Sequence, residues 1–431
     1  MTERRDVLVV GAGPAGLAAA EAAAAHGTNV TMLDAQAHPG GQVWRHDIAH
    51  RAPHRARRAL RRIASVRWCH GMRVVDADVS ACSLRAEDAL HAREFHWDRL
   101  VLATGARELF LPFPGWTLPG VTGAGGSQAL VKQGWPVDGR RVVVAGSGPL
   151  LLAAAATLRA RGARVLAIVE QAARKDVHAF AYGLWRWPDK LVQAAALRAK
   201  LAGVPIRYGA VVRRALGDGH LQAVEIDHDG EIARIECDQL AAGFGLVPET
   251  GLARLLGCAL TDARHPAVRV DALQRTNVEG VLAAGEACGI GGMQTASIEG
   301  AIAGHAAAGD EAAAHGLIAA RDHARRFAEA AEKTFSPGPR TRALADDSTI
   351  ACRCEDVTLG ELRPFEDARS AKLATRCGMG ACHGRICGAA LAELKGWAWH
   401  GHPRQPLFPA RLATLAAADA ALAGGIADAT S

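Results

Sequence analysis

The sequence predicts an α/β chain with two Rossmann-like dinucleotide-binding domains and a small helical module at its C-terminal end. Three observations predict it. A short apolar run leads into Gly11-Ala12-Gly13-Pro14-Ala15-Gly16 and then an Ala-rich stretch, which is the order strand, phosphate turn, helix. A related apolar run and glycine turn, Gly146-Ser147-Gly148, recur about 130 residues later, a spacing of domains rather than of a short repeat. Near the end, Cys352 and Cys354 form one pair, and after 27 intervening residues Cys382 and Cys387 form another. Four thiolates grouped in this way hold an iron–sulfur cluster or a tetrahedral zinc. A nucleotide site and a four-cysteine site on one polypeptide imply electron transfer.

The chain has 431 residues, too many for one core, so two to four domains are expected. No apolar run is long enough to span a bilayer, and the first residues run straight into a strand with no signal peptide. Five of the ten cysteines lie between 352 and 387, a clustering that suggests metal ligands in a reducing compartment, so a cytoplasmic protein is expected, peripheral to the inner membrane only through partners. Net charge is +6 and pI about 8.9. Much of the basic excess sits in residues 45–62, rich in Arg and His. It reads as a solvated helix face or, more sharply, as a docking patch for an acidic partner. No aromatic-plus-basic platform accompanies it, so nucleic acid is excluded.

Element by element, residues 6–10 form a strand, 17–26 a helix, and 28–33 a second strand ending in Asp34, one β-α-β unit. Residues 100–106 read as a buried strand ending in a turn. The second unit comprises strand 142–145, the turn at 146–148, helix 150–161 and strand 164–169 with Glu170 after it. Residues 280–286 repeat the strand-and-turn pattern of 100–106, and a Gly-rich segment leads into a helix near 295–308. Residues 311–335 are helical and connective, broken by Ser336-Pro337-Gly338-Pro339. In the cysteine module, Thr358 and Glu361 form a capping box that starts a helix, and the Gly-rich loop 378–387 enters another. Domain boundaries are expected at 1–117 and 251–310 for the two parts of the first domain, 118–250 for the inserted domain, 311–345 for the linker, 346–395 for the cysteine domain and 396–431 for the tail.

Glycines 11, 13 and 16 suit a tight turn, close approach to phosphate and close helix–strand packing. The helix N-terminus beside Pro14 and Ala15 adds free N–H groups and partial positive charge for a pyrophosphate. Asp34 stands where a carboxylate accepts ribose hydroxyls. In the second unit Gly146 and Gly148 keep two fingerprint positions, but Leu151 replaces the third glycine, and Glu170 at the ribose position disfavours a 2′-phosphate. Three readings are open there: a domain that has lost its ligand, a bound adenine nucleotide (ATP or NAD) that transfers no hydride, and a working NADH site.

Together with Gly40-Gly41-Gln42, Ala103-Thr104-Gly105 and Gly285-Glu286, these residues resemble the two-dinucleotide-domain flavoproteins that include thioredoxin and glutathione reductases. The resemblance covers about residues 5–310. It implies FAD in the first domain, held by Gly11, Gly13, Pro14, Ala15, Gly16, Asp34, Gly41, Gln42, Thr104, Gly105, Gly285, Glu286 and Gly292. Relatives carry Asp where Glu286 stands, on the flavin ribityl chain. The helix after Gly291-Gly292 would aim its N-terminus at the flavin C2 carbonyl and favour the anionic reduced ring. The disulfide reductases of this family need a redox cysteine pair beside the flavin; Cys69, Cys82, Cys237, Cys258 and Cys288 are scattered and read as small buried apolar residues.

Residues 346–392 resemble the bacterioferritin-associated-ferredoxin-like 2Fe–2S domain appended to several flavoproteins. That resemblance assigns Cys352, Cys354, Cys382 and Cys387 as ligands and leaves Cys377 and His383 as spectators. The whole order of domains is similar to the alpha-type subunits of opine oxidase, D-hydroxyproline dehydrogenase and hydrogen cyanide synthase. This implies a subunit that relays electrons while a beta-type, amino-acid-oxidase-like flavoprotein partner oxidises the amine, with a small ferredoxin-like subunit and an FMN shared with the partner as further components. No amine-oxidation base is recognisable, so the catalytic residues are unknown. The rival readings are a self-sufficient NADH-dependent acceptor reductase, which a glycine at 151 would have supported, and a non-catalytic iron–sulfur sensor, which would leave the FAD site idle.

Overall fold

The computed structural model describes residues 6–45, 61, 63, 65–397 and 405–416. Apart from Arg45, Arg61 and Ile63, the basic stretch 45–62 and its continuation to 64 lie outside them. The first sheet is parallel, with strands in the order Val281–Ala283, Arg99–Leu102, Asp6–Val10, Asn29–Asp34, Arg67–His70. Both of its faces are covered, which is why residues 7–10 and 100–102 of its central strands are apolar without alternation. Along the first strand, Val7 and Val9 pack with helices Pro14–Ala24 and Gly292–Ala308. Leu8 and Val10 pack on the other side, against the antiparallel strands Arg73–Asp78, Ser83–Glu87 and Ala92–His96.

The chain leaves this sheet along Ala106–Glu108 and returns along Leu246–Pro248, and these two strands pair antiparallel. Between them lies a second parallel sheet, in the order Ile206–Tyr208, Arg164–Glu170, Arg141–Gly146, Gln239–Gly243, Val121–Gly123. Helices Ala124–Lys132 and Leu150–Ala160 cover one face. Strands Ala210–Leu216, Ala223–His228 and Glu231–Glu236 cover the other.

Two helices of the first domain touch backbone to backbone. A Cβ on Gly300 would lie 2.0 Å from the Ala15 carbonyl oxygen, and one on Gly304 2.2 Å from that of Ala19. Only glycine at both positions lets Gly292–Ala308 lie this close to Pro14–Ala24.

Past residue 310 the single helical stretch expected from sequence is two helices, Glu311–Gly316 and Ile318–Phe335. The Asp310 side chain caps the first by accepting from the Ala313 amide. The capping box is present, since the Thr358 amide and hydroxyl both donate to Glu361 and the Glu361 amide donates back. It closes a turn and not a helix; the helix begins later, at Ala368, capped by Asp367.

The cysteine module docks on both sheets' domains. Ala389 and Ala390 of helix Cys387–Lys395 enter the core of the second domain, and the Trp116 indole donates to the Ile350 carbonyl at 2.7 Å. Glu393, on the same helix, accepts from Arg264 (2.8 Å), His265 (2.8 Å) and Arg342 (2.7 Å). Burial alone would raise its pKa, but these three hydrogen bonds outweigh it and hold the carboxyl at about 2.

That carboxyl supplies the first testable expectation. A drop from 4.5 to about 2, at about 1.4 kcal/mol per pKa unit, corresponds to about 3 kcal/mol of docking. Because the folded value lies below the unfolded one, the contribution is complete above about pH 4.5 and is lost as pH falls towards 2. Glu393→Gln should lower the melting temperature at pH 7 and flatten the acid side of the stability curve over that window, read by calorimetry. An unchanged acid limb would show that the tripod does not hold the module.

Candidate functional site

The first glycine turn is built as a cradle. Gly11 has φ of +105°, and a Cβ there would lie 2.2 Å from the Ala103 carbonyl oxygen. A Cβ on Gly16 would lie 1.8 Å from the Gly11 carbonyl oxygen, so this glycine sets the distance between helix and turn. Gly13 differs: a Cβ there would meet nothing nearer than the Gly41 Cα, at 4.0 Å. Gly13 is also the N-cap of helix Pro14–Ala24, with Pro14 at N1 and no side chain on its free amides, among them those of Ala15 and Gly16. The turn therefore offers unpartnered donors and an open space beside them, which is what a pyrophosphate needs.

Asp34 ends the second strand. Its carboxylate accepts from the Ala12 amide at 2.6 Å and from the Gln36 amide at 2.7 Å. Burial raises its pKa against those bonds and the Arg45 charge. Gly41 packs on Gly13, and Gln42 accepts from Arg45 at 2.9 Å. At the far side of the sheet's C-terminal edge, the Thr104 hydroxyl donates to the Glu249 carbonyl at 2.6 Å, and the Glu249 amide donates to the Gly105 carbonyl at 3.0 Å. Glu286 is half-buried; desolvation raises its pKa, and it accepts from the Gly292 amide at 3.2 Å. It thus stands at the N-terminus of helix Gly292–Ala308, while Gly285 lies against Ala15. The residues singled out for FAD line one edge of one sheet, and the open cradle at Gly13 fits such a cofactor.

Sequence reasoning missed Glu299. It is 2% exposed, accepts from the Gly285 amide at 3.0 Å and pairs with Arg325 at 2.7 Å. Burial raises its pKa, and Arg325 opposes this. A carboxylate in the middle of an apolar helix was the available signal. The scattered cysteines need one correction: Cys69, Cys237 and Cys258 are buried, but Cys82 is exposed in a turn. Burial pushes the Cys237 thiol up to about 12 and the Cys288 thiol well above its ordinary value. Neither is a thiolate nucleophile.

In the second unit, Gly146 has φ of +132°, with the Gly243 carbonyl oxygen 1.7 Å from where a Cβ would sit. Leu151, where the first unit has Gly16, is 1% exposed and packs with Ala124, Val144 and Ala241. Since Gly16 has no room even for a methyl group, a helix carrying Leu151 at that point stands farther from its turn. Glu170 accepts from the Gly148 amide (2.8 Å) and the Ala172 amide (2.9 Å), and the Ser147 hydroxyl oxygen lies 3.1 Å from its carboxylate. Burial raises its pKa against these bonds.

The cysteine module gathers five thiols. Cys352, Cys377 and Cys387 are buried, with sulfurs within 4.8 Å of one another. Cys354 lies against the thiol and amide of Cys382, nearer the surface. Gly380 permits that approach, since a Cβ there would be 2.2 Å from the Cys354 Cβ. The Gly378 and Glu355 amides reach the Cys352 sulfur. A thiol-rich pocket with main-chain N–H groups aimed at sulfur fits a four-thiolate cluster or metal. Cys377 belongs to the module's apolar core with Leu362, Ala371 and Leu391, so its closeness to Cys352 and Cys387 was not legible from spacing.

The two sites are joined. Arg385 lies between Cys382 and Cys387, and its guanidinium faces the Glu249 carboxylate at 3.9 Å. Arg107 pairs with Glu249 at 3.3 Å and donates to the Arg385 carbonyl. Arg385 also stacks on Phe408 at 4.0 Å and donates to the Leu407 carbonyl at 2.8 Å. Glu249 thus connects the cysteine loop, through its carboxylate, to the Thr104-Gly105 turn, through its backbone.

Residues 5–308 match the pyridine nucleotide-disulphide oxidoreductase family. The chain is 34% identical to an opine oxidase subunit of Rhizobium meliloti, over 90% of this chain and 92% of that protein. It is 33% identical to the HcnB subunit of hydrogen cyanide synthase from Pseudomonas aeruginosa, over 88% and 90%. Among solved structures it is similar in fold to L-proline dehydrogenase from P. horikoshii, with TM-score 0.65 and 18% identity over 96% of this chain and 79% of that one. Thioredoxin reductase of Lactococcus lactis aligns with TM-score 0.52 and 19% identity over 74% and 100%.

The open cradle gives a second expectation. Gly13→Val should keep the fold, with a melting temperature near wild type for the flavin-free protein, yet bind FAD at least about tenfold more weakly, because its side chain fills phosphate space. Gly16→Ala should instead destabilise the fold itself. Flavin titration by fluorescence separates the two, and wild-type flavin affinity in Gly13→Val would remove the phosphate role from this turn.

Proposed function

The chain belongs to the pyridine nucleotide-disulphide oxidoreductase family, with subunits of opine oxidase and hydrogen cyanide synthase among its relatives, and we propose that it is the FAD- and 2Fe–2S-carrying electron-transfer subunit of a heteromeric amine dehydrogenase. The observation that carries this reading is the Glu249 bridge between the cysteine loop and the flavin-side turn. When bound, FAD supplies two-electron uptake with one-electron release, and a 2Fe–2S cluster supplies one-electron carriage. The chain's own residues do the rest. The amides after Gly13 hold the pyrophosphate, Asp34 and Glu286 accept from ribose and ribityl hydroxyls, and the N-terminus of Gly292–Ala308 stabilises negative charge on the ring.

Cys352, Cys354, Cys382 and Cys387 are the proposed ligands, with Cys377 as a buried neighbour. Arg107 and Arg385 fix the ligand loop against Glu249, so that the distance between the two carriers is set by the fold. The relatives are named as subunits, and this supports a complex in which a catalytic, amino-acid-oxidase-like flavoprotein removes hydride from the CH–NH bond of an amino acid or opine. A small ferredoxin-like subunit and an FMN shared at the contact complete the proposed assembly. No helix among the described residues is long and apolar enough to cross a membrane.

Two measurements test this. Iron and acid-labile sulfide should each be found at about two per chain, and Ser at 352, 354, 382 or 387 should abolish the cluster spectrum while Cys377→Ser leaves it. Zinc without sulfide, or loss of the spectrum in Cys377→Ser with retention in Cys382→Ser, overturns the ligand assignment. In dye-reduction assays with D-hydroxyproline, opines and glycine, the isolated chain should be inactive and should become active with its co-expressed flavoprotein partner. Full turnover by the chain alone would refute the subunit role.

A further inference from the structure

The second dinucleotide unit ends where a nucleotide would lie, at the glycine turn 146–148 and Glu170. The linker of this same chain crosses that place. The Ser147 hydroxyl donates to the Phe335 carbonyl at 2.6 Å. Gln171 holds the next residues from both sides: its Nε2 donates to the Ser336 carbonyl at 2.9 Å, and its Oε1 accepts from the Gly338 amide at 2.9 Å and from the Thr341 hydroxyl at 3.2 Å. The Phe335 side chain covers Gly148, where an added Cβ would meet it at 3.6 Å.

The amides of Ser147 and Gly148 in the glycine turn are spent within the chain. In a working unit the amides of the glycine turn face the pyrophosphate and the acidic residue faces the ribose. Here the Gly148 amide donates to Glu170 itself. A cavity of about 10 Å³ lies beside Gly146, Gln171 and Thr341, lined otherwise by core residues such as Phe113, Val212 and Phe244, room for about one water.

The linker is also fastened upstream. Phe327 and Phe335 of helix Ile318–Phe335 pack on Phe180, with ring centroids 5.9 and 5.2 Å apart. Trp187 packs on Phe327 at 5.6 Å and its indole donates to the His323 carbonyl at 3.2 Å. Downstream, Arg340 pairs with Asp227 and Asp229.

We propose that the second dinucleotide site is a socket for residues 335–341 of the chain's own linker, which take the place of NAD or ATP and anchor the segment leading to the cysteine module. Phe335 and Gln171 then decide the specificity of the whole chain against nicotinamide donors, because no nucleotide can enter at this turn. Leu151 is accommodated for the same reason, since a helix start that cradles no phosphate need not press against its turn. The inference does not depend on the subunit role, because a free-standing enzyme with this socket would refuse NADH equally.

The experiment uses the full-length, flavin-loaded protein. Nucleotides released by denaturation are identified by chromatography, binding of NADH and ATP is measured by calorimetry, and hydrogen exchange at the Gly338 amide is followed by mass spectrometry over residues 335–341. Wild type should release FAD and no second adenine nucleotide, should bind neither NADH nor ATP at millimolar concentration, and should protect the Gly338 amide. In Gln171→Ala, and in Phe335→Ala as a second variant, exchange over 335–341 should quicken by at least about tenfold, as expected when buried hydrogen bonds or their cover are removed. A second nucleotide at one equivalent per chain, NADH or ATP binding tighter than about 100 μM, or unchanged exchange in both variants would each overturn the socket.

Discussion

The contact on which the rest of the structure depends is the one between Ala15 and Gly300. Helices Pro14–Ala24 and Gly292–Ala308 lie on the same face of the first sheet, and both begin at its C-terminal edge. Their approach is limited by backbone rather than by side chains, because Gly300 and Gly304 leave nothing between them. Two helix N-termini therefore converge on one crevice, the second with Glu286 beside it. Their partial positive charges add where a phosphate and a reduced flavin ring would carry negative charge. A methyl group at either of these glycines would push one helix outward and spread the two fields apart.

Fixed geometry extends from that crevice to the thiols through very few bonds. Glu249 uses its backbone on Thr104 and Gly105 and its carboxylate on Arg107 and Arg385. Arg385 is itself inside the loop between Cys382 and Cys387. Burial lowers the pKa of both arginines, so the pair is held at a desolvation cost that a merely surface-attached module would not incur. Glu393 fastens the opposite end of the module with three donors from two other parts of the chain. The module is thereby pinned at two points, and the orientation of its cysteine loop relative to the first domain is not left to a flexible tether.

Much of this was legible beforehand because the signals were local. Gly11, Gly13 and Gly16 with Asp34, the repeat at Gly146 and Gly148, and the cysteine spacing all express one-residue constraints: a positive φ, a missing Cβ, a sulfur ligand. They gave the fold class and the family. Contact between distant segments was not legible. Nothing near Cys377 says that it lies beside Cys352 and Cys387, since its neighbours in space come from Leu362 and Leu391. Thr358 and Glu361 satisfied a capping pattern whose hydrogen bonds form around a turn, because a box specifies its own four residues and not the conformation of the segment after them. Glu299, Glu249 and the linker's place over Gly148 likewise needed the tertiary structure.

The strand Val281–Ala283 completes the first sheet by pairing with Arg99–Leu102, although about 180 residues separate them. During synthesis, the second sheet is contiguous in sequence and can close while the ribosome is still producing the first sheet's last strand and its covering helix. The first domain must wait with Leu100 and Leu102 uncovered along that edge. Its nucleation is a late, non-local event with a large loop-closure penalty, whereas the inserted domain folds from nearer neighbours. Flavin capture must correspondingly wait for the whole inserted domain to be made, because the helix that supplies half of the crevice, Gly292–Ala308, follows it in the chain.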